Sequence, residues 1–258
     1  MNHHFIVCIK AVLLQAPKGK VIRTSETCDL NPLDRPAIEM ALQLRDRLGG
    51  TVTALSMGPE TCSFVLSDAM AMGVDRGVLL SDPLLAGSDT LATSTALAAA
   101  VRRLAPFDLL FFGTRSSDSD TGQVGPQTAV LLDLPLVTAA ITIENTEKGF
   151  KITRRSDGFQ ETYMTTTPAA LTVHPTSVQP RDPSLWGIGS SYDLHDIERW
   201  RLKDLDLPAE SVGEAGSPTR VLSLKRVYRE RNCEFIEGEP EEQTEALIKR
   251  LIKLGLIG

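Results

Sequence analysis

Short apolar runs alternate along the first 140 residues with longer stretches whose apolar positions recur every three or four residues. The runs at 5–9, 51–56, 77–80, 109–112 and 136–140 are too brief for buried helices and predict strands. Between them, the spacing predicts helices near 33–48, 60–72, 90–104 and 121–132. Strand–helix alternation implies parallel pairing through right-handed crossovers, an open α/β sheet with helices on both faces.

Local residues give these helices their ends. Asn31 is expected to cap the first, with Pro32 in the first helical position and Asp34 in the first turn. Ala37, Ala41, Leu44 and Leu48 share one face, and Gly49-Gly50 stops it. Cys62, Leu66, Ala69 and Met72 line the next helix before Gly73, and Asp89 is placed to cap the third.

After Ala140 the period becomes two. The stretches 141–144, 150–155 and 160–165 predict an antiparallel hairpin extension turning at Asp157-Gly158, and 169–173 predicts a returning core strand. From Pro175 onward the chain is irregular, then closes on 241–254, where Leu247, Leu251 and Leu254 form a stripe among charges. The stripe suits an arm gripping a partner or a helix packing back on its own domain. The expected division is an α/β nucleotide-binding domain over 1–175 and a partner-recognition loop with a C-terminal arm over 176–258.

Composition excludes more than it selects. A net charge of -6 argues against a nucleic-acid partner, while backbone amides can still hold a phosphate. No apolar run approaches the ~20 residues that span a bilayer, so no direct membrane insertion is expected. The N-terminus lacks a secretory pattern, and Cys8, Cys28, Cys62 and Cys233 are scattered, which together point to the cytoplasm. His3, His4, His174 and His195 have no companion ligands at metal-binding spacing, and no metal is expected.

Walker A, Gly-x-Gly-x-x-Gly and Gly-x-Ser-x-Gly patterns are absent, which disfavours a P-loop NTPase, a standard NAD dehydrogenase and an α/β-hydrolase. The chemistry-bearing stretch is Asp118-Ser119-Asp120-Thr121-Gly122-Gln123-Val124-Gly125-Pro126-Gln127-Thr128-Ala129, directly after an apolar strand and opening a helix. Such strand-to-helix turns lie at the carboxyl edge of a parallel sheet, where free N–H groups and the helix dipole favour anions. Gly122 and Gly125 permit close backbone approach, and Thr121, Gln123 and Gln127 can donate hydrogen bonds. Asp118 and Asp120 would repel a phosphate, so capping or ribose contacts suit them better. The turn at Gly87-Ser88-Asp89-Thr90-Leu91-Ala92-Thr93-Ser94 is a second candidate, with Asp89, Thr90 and Thr93 offering polar groups for a further phosphate or ribose. An ordinary capped helix remains an open reading of both segments.

Together, Ile6-Val-Cys-Ile-Lys10, Asn31-Pro-Leu-Asp34, Leu55-Ser-Met-Gly-Pro59, Ala69-Met-Ala-Met-Gly-Val-Asp-Arg76 and the Asp118–Ala129 loop resemble the electron-transfer flavoprotein beta family. The resemblance implies a Rossmann-like α/β fold paired with a larger alpha subunit that carries its own FAD. It implies nucleotide contacts from Cys8, Asn31, Pro32, Leu33, Asp34, Met57 and the 118–129 loop. From the residues alone, Cys8 is simply a small strand residue in the core. In the family's common branch the beta subunit holds AMP; in its electron-bifurcating branch it holds a second FAD that takes hydride from NADH. The segments 86–94, 122–127 and 216–221 are similar to the bifurcating branch. Its partners would be an acyl-CoA dehydrogenase or a quinone-linked oxidoreductase, with ferredoxin as low-potential acceptor.

Two departures stand out. Leu185 aligns with the family's anchoring leucine, with Trp186 beside it, but the adjoining lysine-rich stretch is missing. The loop's arginine, Arg115, is displaced by one position. Rival readings from the residues are a stand-alone adenine-nucleotide sensor and an adenylating enzyme, the latter lacking its pyrophosphate loop.

Overall fold

The computed structural model describes residues 3–15, 22–193, 197–223 and 233–257; His195 lies outside them. The elements in chain order are β1 (His4–Ile9), β2 (Ala11–Leu13), β3 (Cys28–Leu30), α1 (Arg35–Leu48), β4 (Thr51–Met57), α2 (Phe64–Ala71), β5 (Arg76–Leu80), α3 (Thr90–Leu104), β6 (Leu109–Gly113) and α4 (Val124–Leu131). They continue as β7 (Leu136–Thr146), β8 (Gly149–Ser156), β9 (Phe159–Thr165), β10 (Ala169–Val173), α5 (Leu185–Asp193), β11 (Glu198–Trp200) and α6 (Pro240–Lys253).

One sheet runs β11-β5-β4-β1-β6-β10-β7-β8-β9, and β2 pairs with β3 in a small antiparallel ribbon. Pairing is parallel from β11 through β7 and antiparallel over β7–β8–β9. Alternate residues of β1 feed opposite layers. Phe5, Val7 and Ile9 join Ile38, Leu42 and Leu66 of α1 and α2, whereas Ile6 and Cys8 join Ala96, Ala100 and Ala129 of α3 and α4. Each fully buried Phe or Leu contributes about 1.5–3 kcal/mol, so both helical layers are held by the central strands. The predicted α/β architecture and hairpin extension are therefore present, with Asp157 and Gly158 both at positive φ in the turn between β8 and β9.

Several boundaries differ from expectation. Asn31 does not cap α1. The helix starts at Arg35, Asp34 occupies the cap position without a side-chain cap bond, and Pro36 rather than Pro32 lies in its first turn. Asn31 and Asp34 are instead drawn into long-range hydrogen bonds described below. The second helix splits into a 3-10 turn (Glu60–Cys62) and α2, and the fourth begins at Val124 rather than 121. Asp89 does cap α3, accepting the Ala92 N–H at 3.0 Å.

The chain divides after Leu222 into the units Met1–Leu222 and Ser223–Gly258. The 176–222 stretch thus belongs to the first unit, where β11 adds to the β5 edge in parallel register. In the second unit, α6 opens with a Glu239/Glu242 capping box and leaves Leu247, Ile248, Ile252 and Leu254 exposed. Among the described residues, no helix is long and apolar enough to cross a membrane, and no group of three or more His, Cys, Asp or Glu side chains could hold a metal ion.

Candidate functional site

From β1 the chain proceeds to β4 and β5 on one side and later to β6 and β10 on the other, so the connection reverses at β1. Ligands of open parallel sheets lie at this switch, outside the carboxyl ends of the strands. Lys10, Met57, the 81–90 turn and the 114–123 loop all lie there, at or just past the ends of β1, β4, β5 and β6 respectively.

The two candidate turns are neighbours. The Thr90 hydroxyl donates to Gln123 Oε1 at 3.1 Å, and the Ser94 hydroxyl lies 3.2 Å from Val124 O and from Gln127 Oε1. The N-termini of α3 and α4 therefore open side by side. First-turn N–H groups have no intrahelical acceptor, and Pro126 removes one of them on α4. Gly122 takes φ +64°, a conformation L side chains rarely adopt, and a Cβ there would lie 3.2 Å from Thr114 O. Thr121 and Gln123 are exposed on this edge, whereas Thr128 and Ala129 face inward, with the Thr128 hydroxyl donating to Val124 O at 2.7 Å. Gly125 is required by the sheet beneath: a Cβ would meet the Phe112 ring at 3.1 Å and Thr172 at 3.2 Å.

The acids in this loop are spoken for. Asp118, 6% exposed, sits 2.7 Å from Lys10 Nζ and 3.0 Å from an Arg23 guanidinium nitrogen. Burial alone would raise its pKa, but Lys10 and Arg23 outweigh burial and hold the carboxyl at about 2. Lys10 Nζ also reaches the Ser116 and Ser119 hydroxyls, each at 3.2 Å, so one ammonium gathers the loop. Neither aspartate caps α4; Gln123 holds that position, and Asp120, at φ 55°, pairs with the displaced Arg115 at 3.1 Å.

Asn31 and Asp34 brace the loop from behind. The Asn31 amide donates to Asp34 Oδ1 at 2.8 Å and to Arg115 O at 2.9 Å, while its own oxygen lies 3.3 Å from the Ser117 N–H. Asp34 accepts the Lys10 N–H at 2.8 Å. Burial pushes the Asp34 carboxyl up to about 7, despite the opposing Lys10 N–H, Asn31 amide, Lys10 charge and Gly113 N–H. Cys8 is buried one residue from the end of β1, and burial with the Asp34 charge raises its thiol pKa. Pro32, Leu30, Leu13, Arg35 and Ser117 border an open cleft of about 230 Å³ beside this brace.

A separate display surrounds Leu185 and Trp186, which are 90% and 80% exposed at the start of α5. Their helix packs on α2 so closely that a Cβ on Gly187 would lie 2.5 Å from Ala71 O. Tyr192 donates to Asp68 at 2.6 Å, and upstream the Arg181 guanidinium reaches buried Glu39 at 2.8 and 3.1 Å and Asp46 at 2.9 Å.

Arg23 was missed from sequence, and Lys10, Ser217 and Thr219 stood only inside the matched 6–10 and 216–221 segments, without a site role of their own. A lysine directly after the first strand, and a loop aspartate that demands a cation, were the signals available for Lys10.

Fold and edge define a doubly wound α/β protein with two helix N-termini side by side at its switch point. A family model described as "Electron transfer flavoprotein domain" matches residues 18–190. The chain is 36% identical over 231 residues to "Electron transfer flavoprotein subunit beta" of Thermoanaerobacterium thermosaccharolyticum, covering 90% of this chain and 88% of that one. "Protein FixA" of Azotobacter vinelandii is 33% identical over 270 residues, covering 96% and 94%. "Caffeyl-CoA reductase-Etf complex subunit CarD" of Acetobacterium woodii is 35% identical over 223 residues, covering 84% and 85%. The chain belongs to the electron transfer flavoprotein family, among its beta subunits.

Proposed function

We propose that this chain is the FAD-binding beta subunit of a heterodimeric, NADH-linked, electron-bifurcating or confurcating flavoprotein. It would relay electrons between NADH, a dehydrogenase or quinone-linked route and a low-potential acceptor such as ferredoxin. The observation that carries the reading is the pair of adjoining helix N-termini, α3 and α4, joined by the Thr90–Gln123 bond.

The residues fit a dinucleotide. Donors on this edge include Thr121, Gln123 and first-turn amides, while Asp118 is neutralised by Lys10 and Arg23 and Asp89 is engaged by protein donors. Two helix ends offer places for two phosphates, where AMP would need one. When bound, the isoalloxazine supplies the hydride and electron chemistry. The part of this chain is to bind and orient: Asn31 and Asp34 brace the 113–118 loop, and Lys10 gathers Ser116, Asp118 and Ser119.

Likeness to FixA and to a subunit of a caffeyl-CoA reductase-Etf complex supports the bifurcating branch and a partner of the acyl-CoA dehydrogenase class. The exposed Leu185 and Trp186 would anchor that partner, and the 223–258 unit, with its exposed α6 stripe, would pack on the alpha subunit. Free cysteines at 8, 28, 62 and 233 support a reducing, cytoplasmic setting.

The test is co-expression with the alpha subunit, followed by release and quantification of nucleotides. Two FAD per heterodimer supports the proposal, one FAD with one AMP places the chain in the common branch, and no flavin contradicts the function.

A further inference from the structure

Two of the chain's four cysteines meet in the core. Cys28 begins β3, paired with Leu13 of β2, and Cys62 closes the 3-10 turn that follows β4. They are 2% and 1% exposed, pack in one apolar cluster with Ile38, Leu42 and Leu66, and are hydrogen-bond partners through their thiols. Cys8, by contrast, packs in the opposite layer of the sheet. The segments carrying the pair also touch one residue away, where the Thr61 hydroxyl donates to Arg23 O at 2.5 Å. A single buried cysteine is an ordinary small core residue, but two thiols sharing a hydrogen bond need only a short approach to be joined.

We propose that Cys28 and Cys62 form a reversible disulfide site, oxidised by a peroxide, that fastens the 22–28 turn to the 60–62 turn. The inference rests on the thiol pair and is independent of the nucleotide reading. What the bond would hold is specific. The Arg23 guanidinium donates to Ala11 O at 2.6 Å and to Asp118 at 3.0 Å, so pinning its turn steadies the 113–118 loop as well.

The resting form is the dithiol, since both cysteines are free. Burial and the Cys28 charge push the Cys62 thiol up to about 11, against the opposing Arg23 charge, so the closed pair is unreactive at neutral pH. Cys28 lies on a ribbon of two three-residue strands, an element small enough to open locally and admit a peroxide. The Cys28 sulfur then attacks one peroxide oxygen: an S–O bond forms, the O–O bond breaks, and the thiol proton leaves in water. The Cys62 sulfur attacks the resulting sulfenic sulfur, forming S–S, breaking S–O and releasing a second water. In sum, two thiols lose two electrons and two hydrogens, and the peroxide takes them up to become two waters. A dithiol reverses the step by exchange.

The test treats the heterodimer, co-expressed with its alpha subunit, with hydrogen peroxide and maps its peptides without reduction by mass spectrometry. Exposed Cys233 reports that the oxidant has acted. A Cys28–Cys62 linked peptide, two hydrogens lighter than its parts and lost on adding dithiothreitol, is expected. Amide exchange over 22–28 and 59–63 should slow about tenfold in the oxidised form, as a crosslink suppresses local opening, with slower exchange over 113–118, and reduction should reverse both. Cys28→Ala and Cys62→Ala, each a small apolar replacement, should abolish the link, and in Cys62→Ala the Cys28 thiol should stop at the sulfenic acid, trapped by dimedone. Oxidation of Cys233 that leaves Cys28 and Cys62 free, converts them separately to sulfinic acids, or links either to another cysteine overturns the inference. So does a Cys28–Cys62 link that leaves exchange over 22–28 and 59–63 unchanged.

Discussion

Asp118→Asn is the perturbation whose size can be worked out most directly. The carboxylate lies between Lys10 at 2.7 Å and Arg23 at 3.0 Å and is 6% exposed. Its pKa falls from an ordinary 3.8 to about 2, because the two cations outweigh burial. A shift of that size corresponds to about 2.4 kcal/mol. Lys10 is 37% exposed, so solvent screening brings the expected contribution nearer to about 1.5–2 kcal/mol. The folded pKa is depressed, so the stabilisation is fully present above the unfolded value near 4 and disappears as pH falls through about 2. Urea denaturation of wild type and Asp118→Asn should therefore differ by about 1.5–2 kcal/mol at pH 7, with the gap narrowing below about pH 4. A difference under about 0.5 kcal/mol at pH 7, or one that stays constant on acidification, would refute the charge-clamp account of this loop.

Four further outcomes follow from the same structure. Arg181→Met strands the Glu39 carboxylate, 5% exposed, and should cost about 2–4 kcal/mol in chemical denaturation. Leu185→Glu should leave thermal stability unchanged, since the side chain is 90% exposed, while slowing electron exchange with an acyl-CoA dehydrogenase, the partner class proposed above, about tenfold or more in a coupled assay. Gly125→Val should destabilise by about 1–3 kcal/mol, because its side chain would meet Phe112 and Thr172, and a normal melting temperature would contradict that packing. Asp34 titrates near pH 7 when folded and near 3.8 when unfolded, so its contribution to stability should grow as pH falls from 7 towards 4; a wild-type-minus-Asp34→Asn difference that is flat over this window would count against it.

The core strands and the helices behind them were readable because each buries residues that are local in sequence. Ile6 and Val7, or Leu110 and Phe111, announce themselves as apolar runs whichever neighbours they later meet. Asn31-Pro-Leu-Asp34 misled for the opposite reason. Its spacing imitates a helix start, yet Asn31 bonds to Arg115 and Ser117 and Asp34 to Lys10, partners that no local window contains. The 216–221 segment stood out by resemblance, but its bonds to Asp89 did not, because Ser217 and Thr219 lie 128 and 130 residues from that aspartate. Three-residue β11 escaped notice because Glu198-Arg199-Trp200 carries two charges, whose partners Arg76 and Glu60 lie far away in sequence. Gly-rich α5 has weak helix propensity, and its packing on α2 is what makes Gly187 necessary. In the candidate site, sequence showed which segments form the edge, but only tertiary contacts show which side chains face it and which hold it from behind.

Backbone amide exchange on the heterodimer, with and without its beta-side nucleotide, tests the central claim most directly. Protection is expected to rise together in two peptides, 88–92 and 119–125, with little change around α6. Protection confined to other segments, or exchange in both peptides indifferent to the nucleotide, would contradict the paired-helix edge as the place where it binds.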